Sequence, residues 1–281
     1  MSGRHGLQEK IVGVITGASS GIGKALAIVL AERFKARLVL NARTEETLEE
    51  TARLVNKAGG QAIISAGDIA DSNVASLLPK TCLDNFGALD LLVNNAGLAN
   101  PGPIQTLSPD DWHKVFAVNF FGALYATYAA LPQFLQQGYG KIVNVASVAG
   151  KIAFPGSVCY SASKFALTGM SEGMAGELCS KGIDVITVCP GWVRSQFFSK
   201  NQVADHKNPT LIALKTDMEG WLMRNCLSIS AEKCAHEIVK ACEKGGPQEI
   251  VLTAPGIVVE RLNGIFPSLA FRLAAKIPPE R

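Results

Sequence analysis

From Ile11 almost to the end of the chain, short apolar or β-branched runs alternate with longer amphipathic segments, with no Pro/Ser linker and no internal repeat between them. The short runs predict strands at residues 11–15, 38–40, 62–65, 89–93, 141–145, 184–188 and 249–253. All but the last lie at the spacing of β-α-β units, so the expected fold is α/β, a doubly wound Rossmann arrangement. It would have seven parallel strands with helices on both faces, as a single domain over residues 1–281. Helix starts are legible as well. Ser108 stands before Pro109, Asp110 and Asp111, Thr44 before Glu45 and Glu46, and Ser230 before Glu232. Each offers a capping oxygen followed by acids at the positive end of the helix dipole.

The alternation fails in two places. Residues 195–229 form a long mixed segment with Phe197, Phe198, Leu211, Trp221 and Leu222, which reads as an apolar lid and hence as a sign of an apolar ligand. Residues 256–281 form an apolar extension punctuated by Glu260, Arg261, Arg272 and Lys276. Its uncharged run is too short for a bilayer span of about 20 residues. It suits packing on its own or a sister subunit, or else peripheral contact with a membrane. The uncharged stretch 115–140 is long enough to span, but Asn119, Thr127, Pro132 and three glutamines favour a helix held between a sheet and a partner.

Composition narrows the classes. A chain of 281 residues that is 48% hydrophobic and 18% charged can offset its ordering entropy by burial, which excludes disorder. With 27 basic against 24 acidic residues the net charge is +3, and no run of Lys or Arg offers a nucleic-acid stripe. Seven cysteines, an odd number with no pair separated by two residues, read as reduced thiols rather than a disulfide framework or metal site. The polar first ten residues, without an apolar signal core, add to a cytoplasmic reading.

Two constellations carry chemistry. The first strand runs into Thr16-Gly17-Ala18-Ser19-Ser20-Gly21-Ile22-Gly23 and then directly into a helical pattern. Such a turn brings backbone close to a pyrophosphate, which the free amides of the helix start would hold. At the end of the second strand, where an NAD site places an acid, the chain has Asn41, Ala42 and Arg43. A guanidinium there can grip a 2′-phosphate, so the expected cofactor is NADP(H). Tyr160 and Lys164, four residues apart, share one helical face. An ammonium close to a phenol favours the phenolate and brings it toward working pH as a proton donor and acceptor.

With both constellations in order, the chain resembles the single-domain short-chain dehydrogenase/reductase family from about Ile11 to Ser195. Further matches are Asp68, the tetrad Asn94-Asn95-Ala96-Gly97, Asn119, Ser147 thirteen residues before the tyrosine, and Pro190-Gly191-Trp192-Val193. The resemblance implies Tyr160 as general acid/base, Ser147 on the substrate oxygen, Lys164 under the phenol and on the nicotinamide ribose, and Asn119 as anchor of a water leading from the lysine to solvent. It also implies Asp68 and Ile69 at the adenine, Asn95, Ala96 and Gly97 beside the cofactor, and Pro190, Gly191, Val193 and Ser195 around the carboxamide.

Two departures qualify it. Ser20 stands where many NADP-dependent members have a basic residue, and the C-terminus lacks the glycine-rich tail of tetrameric ketoacyl reductases. That ending is similar to those of lipid, steroid and keto-sphingoid reductases. The expected protein is therefore an NADP(H)-dependent oxidoreductase of an apolar ketone or secondary alcohol. The alternatives are a 3-oxoacyl thioester reductase and a redox-silent dinucleotide-binding regulator. A homodimer is expected, with a tetramer as the other arrangement, through the 115–135 helix and the small-residue face at Ala162, Ala166, Gly169 and Gly173.

Overall fold

The computed structural model describes residues 7, 9–194, 228–266, 268 and 272. In chain order its strands are β1 (Val12–Thr16), β2 (Arg37–Ala42), β3 (Gln61–Ala66), β4 (Leu91–Asn94), β5 (Gly140–Val145), β6 (Ile183–Cys189), β7 (Trp192–Arg194), β8 (Ser228–Ser230) and β9 (Gln248–Val251). Seven of them form one parallel sheet in the order β3-β2-β1-β4-β5-β6-β9, and β7 pairs with β8 in a small parallel ribbon. The seven expected strands are the seven of the large sheet. The ribbon was not expected, and it takes residues 228 and 229 out of the proposed lid, whose remainder, 195–227, lies outside the described residues.

The helices are α1 (Gly21–Phe34), α2 (Glu45–Lys57), α3 (Ser72–Phe86), α4 (Pro109–Phe116), α5 (Gly122–Gln137), α6 (Val158–Leu178), α7 (Ala231–Lys244) and α8 (Ala254–Ile265). Neighbouring strand residues send their side chains to opposite faces, and this splits the core into two layers. Ile15, Val143 and Ile186 pack with Leu26 and Leu30 of α1 and Ile238 of α7. Val14, Ile142 and Val185 pack with Leu78 of α3 and Ala126 and Phe134 of α5. Both faces of the sheet are therefore covered, as near-continuous apolar strands require.

Three helix starts, those of α3, α4 and α7, are closed by side chains. Ser108 forms a reciprocal capping box with Asp111, Asp71 accepts from the Asn73 amide, and Ser230 accepts from the Lys233 amide. Thr44 departs from expectation: its side chain makes no cap bond, although Glu45 and Glu46 occupy the first turn. Helices α4 and α5 form one continuous 29-residue run, Pro109–Gln137, joined by a π-turn at Ala117–Phe121. The run is apolar enough to cross a membrane by length and composition, yet α5 lies on the sheet with Phe134 fully buried.

The sheet order places the site. β1 is flanked by β2 on one side and β4 on the other, so successive crossovers run in opposite directions from it. At such a switch point the loops beyond the strand ends part and leave a crevice.

Candidate active site

That crevice is a cleft of about 420 Å³ running along the carboxyl ends of the central strands. At its first end lies the glycine turn. Gly17 has φ +65° and Gly21 φ +55°, left-handed values that favour glycine. A Cβ on Gly17 would stand 2.8 Å from Cα of Ala96, and one on Gly23 would stand 2.4 Å from the Gly17 carbonyl oxygen. Gly23 is buried behind the turn and lets α1 close against it. Asn95 staples the turn to the end of β4: its side-chain amide donates to the carbonyls of Thr16 and Gly17 at 3.0 and 3.1 Å. Thr16 completes the join, its hydroxyl accepting from the amides of Asn95 and Ala96.

Helix α1 has no side-chain cap from Ser20 and no acid in its first turn, whereas α3, α4 and α7 are each capped by a side chain. Its leading amides are orphan donors at the positive end of a dipole and open onto the cleft. That donor set fits an anion such as a pyrophosphate.

Next along the cleft come Arg43, Thr44 and Thr47. No carboxylate ends β2: Asn41 is buried there, and its amide donates to the Ser65 and Gly67 carbonyls at 2.9 and 3.2 Å. Arg43 is exposed on the rim, with two threonines beside it, a donor set matched to a phosphate oxyanion. Asp68 and Ile69 line the same end, and Asp68 accepts from the Ala70 amide at 3.0 Å.

The far end is built by the turn after β5 and by α6. Ser147 accepts from the Ala149 amide at 3.1 Å, and its hydroxyl bonds the Tyr160 phenol oxygen. Lys164, one turn along α6, is buried, donates to the Val145 carbonyl at 2.8 Å, and holds its ammonium 5.9 Å from the centre of the Tyr160 ring. Burial pushes the Tyr160 phenol up to about 12, opposed by the Ser147 hydrogen bond and reinforced by Cys189. Burial likewise pushes Lys164 down to about 8, against a smaller raising effect from Cys189. Lys164 was expected to bring the phenol toward working pH. In this structure desolvation is the larger effect on Tyr160, and the ammonium is committed to a carbonyl.

Asn119 sits in the π-turn, buried and outside the cleft wall. Its Oδ1 accepts from the Leu98 amide at 2.6 Å, and its Nδ2 donates to the Leu98 carbonyl and the Ser163 hydroxyl, both at 2.9 Å. Ser163 in turn donates to the Tyr160 carbonyl at 2.7 Å. The amide therefore ties the Leu98 loop to the first turns of α6, and a π-turn is a common device for aiming such a group.

Of the residues singled out in the sequence, the cleft is lined by Gly17, Ser19, Ser20, Gly21, Ile22, Arg43, Asp68, Ile69, Asn95, Ala96, Gly97, Ser147, Tyr160, Lys164, Pro190, Gly191 and Val193. Gly23 and Asn119 stand behind its wall, and Ser195 lies outside the described residues. Sequence reasoning missed Thr44, Thr47, Leu98, Val118, Val145 and Ala146, which also line it. Thr47 was findable, lying one turn into α2 from Thr44. Leu98 and Val118 carried no local signal, because apolar residues there read equally well as core.

Comparison with known proteins agrees with this geometry. The sequence model of the short chain dehydrogenase family matches residues 11–206. An uncharacterized oxidoreductase of Thermotoga maritima is 42% identical over 189 residues, 67% of this chain and 74% of its own length. A 3-oxoacyl-[acyl-carrier-protein] reductase of a Synechocystis species is 36% identical over 182 residues, 65% of this chain and 74% of its own. Among solved structures, a short chain dehydrogenase/reductase from Burkholderia phymatum in complex with NAD superposes with a TM-score of 0.81 at 27% identity, covering 97% of both chains. A short chain dehydrogenase from Mycobacterium paratuberculosis bound to NAD gives 0.75 at 25% identity, over 87% of this chain and 96% of its own. The chain belongs to the short-chain dehydrogenase/reductase family and is an oxidoreductase of that type.

Proposed function

We propose that the protein uses NADP(H) to interconvert an apolar ketone and its secondary alcohol, of lipid, steroid or keto-sphingoid character. One observation carries this: the Ser147–Tyr160 hydroxyl pair shares a cleft with the uncapped start of α1 and with Arg43. The nicotinamide, when bound, supplies or accepts the hydride. The α1 amides and the glycine turn would hold the pyrophosphate, Arg43 with Thr44 and Thr47 the 2′-phosphate, and Asp68 and Ile69 the adenine. Asn95, Ala96, Gly97, Pro190, Gly191 and Val193 would flank the nicotinamide half.

Tyr160 donates its proton to the substrate oxygen as negative charge develops there, and Ser147 donates a hydrogen bond to the same oxygen. Lys164 supports the phenol from α6 and, with a hydrogen not given to the Val145 carbonyl, would hold the nicotinamide ribose. Asn119 would anchor a water leading from Lys164 to solvent; its two amide hydrogens are taken by Leu98 and Ser163, and its Oδ1 accepts from the Leu98 amide. A homodimer, a cytoplasmic location and a peripheral contact through the C-terminal segment, where Ile265 and Phe266 are exposed, belong to the same proposal.

A second reading, reduction of a 3-oxoacyl thioester, is favoured by the Synechocystis relative. The test is an NADPH-oxidation screen over medium-chain ketones, steroids, keto-sphingoid bases and 3-oxoacyl thioesters. Turnover of an apolar ketone above that of the thioesters is the expected result, with Tyr160→Phe lowering kcat by about 10²- to 10⁴-fold. Preference for a thioester selects the second reading. Wild-type turnover by Tyr160→Phe overturns both, and no turnover of any carbonyl points to a redox-silent binder.

A further inference from the structure

Ser147 is carried by a short 3₁₀ turn, Val148–Gly150, so its place depends on what grips that turn. On one side the grip is α6. A Cβ on Gly150 would lie 2.7 Å from the Lys164 carbonyl oxygen and 2.8 Å from the Thr168 hydroxyl, so the turn rests directly on the helix that bears Tyr160. On the other side the grip comes from α8. A Cβ on Gly256 of α8 would lie 2.7 Å from Cγ2 of Val148, and Asn263 of α8 donates to the Lys151 carbonyl at 3.0 Å. The Lys151 ammonium, in turn, meets Glu249 of β9 at 2.7 Å and Glu172 of α6 at 3.2 Å. Asn263 makes its bond at a cost: its Oδ1 is buried without a partner among the described residues.

We propose that Asn263 and Gly256 are positioning residues for Ser147: α8 clamps the Ser147 turn onto α6 and so sets where the Ser147 hydroxyl stands relative to the Tyr160 phenol. The inference rests on the reading of these two hydroxyls as the groups that meet the substrate oxygen. Neither Asn263 nor Gly256 is among the described residues of the cleft wall, so their effect passes through the turn. Loosening the clamp displaces a donor without deleting it, which costs turnover and spares dinucleotide affinity.

The test is a double-mutant cycle in the full-length protein, using the best substrate of the screen. Asn263→Ala, Ser147→Ala and their combination are compared for kcat, for substrate KM and for NADPH affinity by fluorescence. The expected result is a loss of about tenfold in kcat for Asn263→Ala, the scale of a sub-ångström misplacement, with NADPH affinity unchanged. In the Ser147→Ala background the same substitution should change kcat by less than about twofold, because the group it positions is gone. Equal losses in both backgrounds overturn the clamp, as does an unchanged kcat in Asn263→Ala. Gly256→Ala, which pushes on Val148 from the same helix, runs through the same cycle should Asn263→Ala fail to fold. Wild-type turnover by Ser147→Ala would instead sink the underlying reading, a failure distinct from additivity in the cycle.

Discussion

Tyr160 is held near 12 by burial, so at neutral pH the phenol keeps its proton and is fully available as a donor. Ketone reduction should then be nearly independent of pH between about 6 and 8, whereas alcohol oxidation, which needs the phenolate, should climb by up to about tenfold per pH unit. Profiles in both directions check this. A plateau in oxidation below pH 7 would mean that positive charge near the phenol outweighs its burial once the ligands are in place. At the other end of the cleft, Arg43→Ala should raise the KM for NADPH by about 10- to 100-fold, the worth of a charged hydrogen bond, and leave that for NADH nearly unchanged. A wild-type preference for NADH would remove the 2′-phosphate from the proposal. Single residues were legible in the sequence where chemistry demands an uncommon type at a fixed spacing, as with Tyr160 and Lys164 on one face. They were illegible where the demand is for shape: Leu98 and Val118 line the cleft as ordinary apolar residues, and nothing local marks Ser163 as the partner of Asn119.

Among the elements, α1 differs from α3, α4 and α7 in lacking a side chain over its first turn. Helices α2 and α6 also lack a side-chain cap, so what sets α1 apart is that its first turn opens onto the cleft, where an anion would supply the roughly 1 kcal/mol that a cap is worth. Helix α5 has a different loose end. Phe121, Tyr128 and Leu135 recur every seven residues and are 41%, 69% and 43% exposed. Neighbouring α6 exposes Phe165 together with Gly169, Gly173 and Gly176, which have open space around them. Aromatic knobs beside a small-residue stripe suit a sister subunit. Sedimentation should give a dimer in the wild type and a shift toward monomer in Tyr128→Asp, while a wild-type monomer at every concentration would exclude the dimer. Strand periodicity revealed the seven sheet strands because burial on both faces leaves continuous apolar runs. The ribbon of β7 and β8 escaped because three-residue strands are too short to show a period. The π-turn escaped because the 115–135 segment is apolar nearly all round, so the phase shift made by the extra residue leaves no mark on the pattern.

At the scale of the whole molecule, buried thiols set the response to alkali. Burial raises Cys82, Cys234 and Cys242 from 9.0 to about 12 and Cys159 to about 11. Above pH 9 the unfolded chain releases these protons and the folded chain keeps them, so stability is fully present below pH 9 and is lost as pH rises toward 11 to 12. Lys164, lowered from 10.5 to about 8, acts oppositely between those values, as one group against the four thiols and Tyr160. Urea unfolding under reducing conditions should therefore give a lower free energy at pH 10.5 than at pH 8.5; a flat or rising trend would contradict the account.

The distribution of contacts along the chain also bears on synthesis. Arg43 and the glycine turn leave the ribosome more than a hundred residues ahead of Tyr160, an interval of roughly 5–20 s at usual elongation rates. The bond from Asn263 to Lys151 spans 112 residues and waits until both have emerged. A nascent polypeptide thus emerges with its anion-binding half first and its proton-transfer half later, and the outer brace on Ser147 follows both.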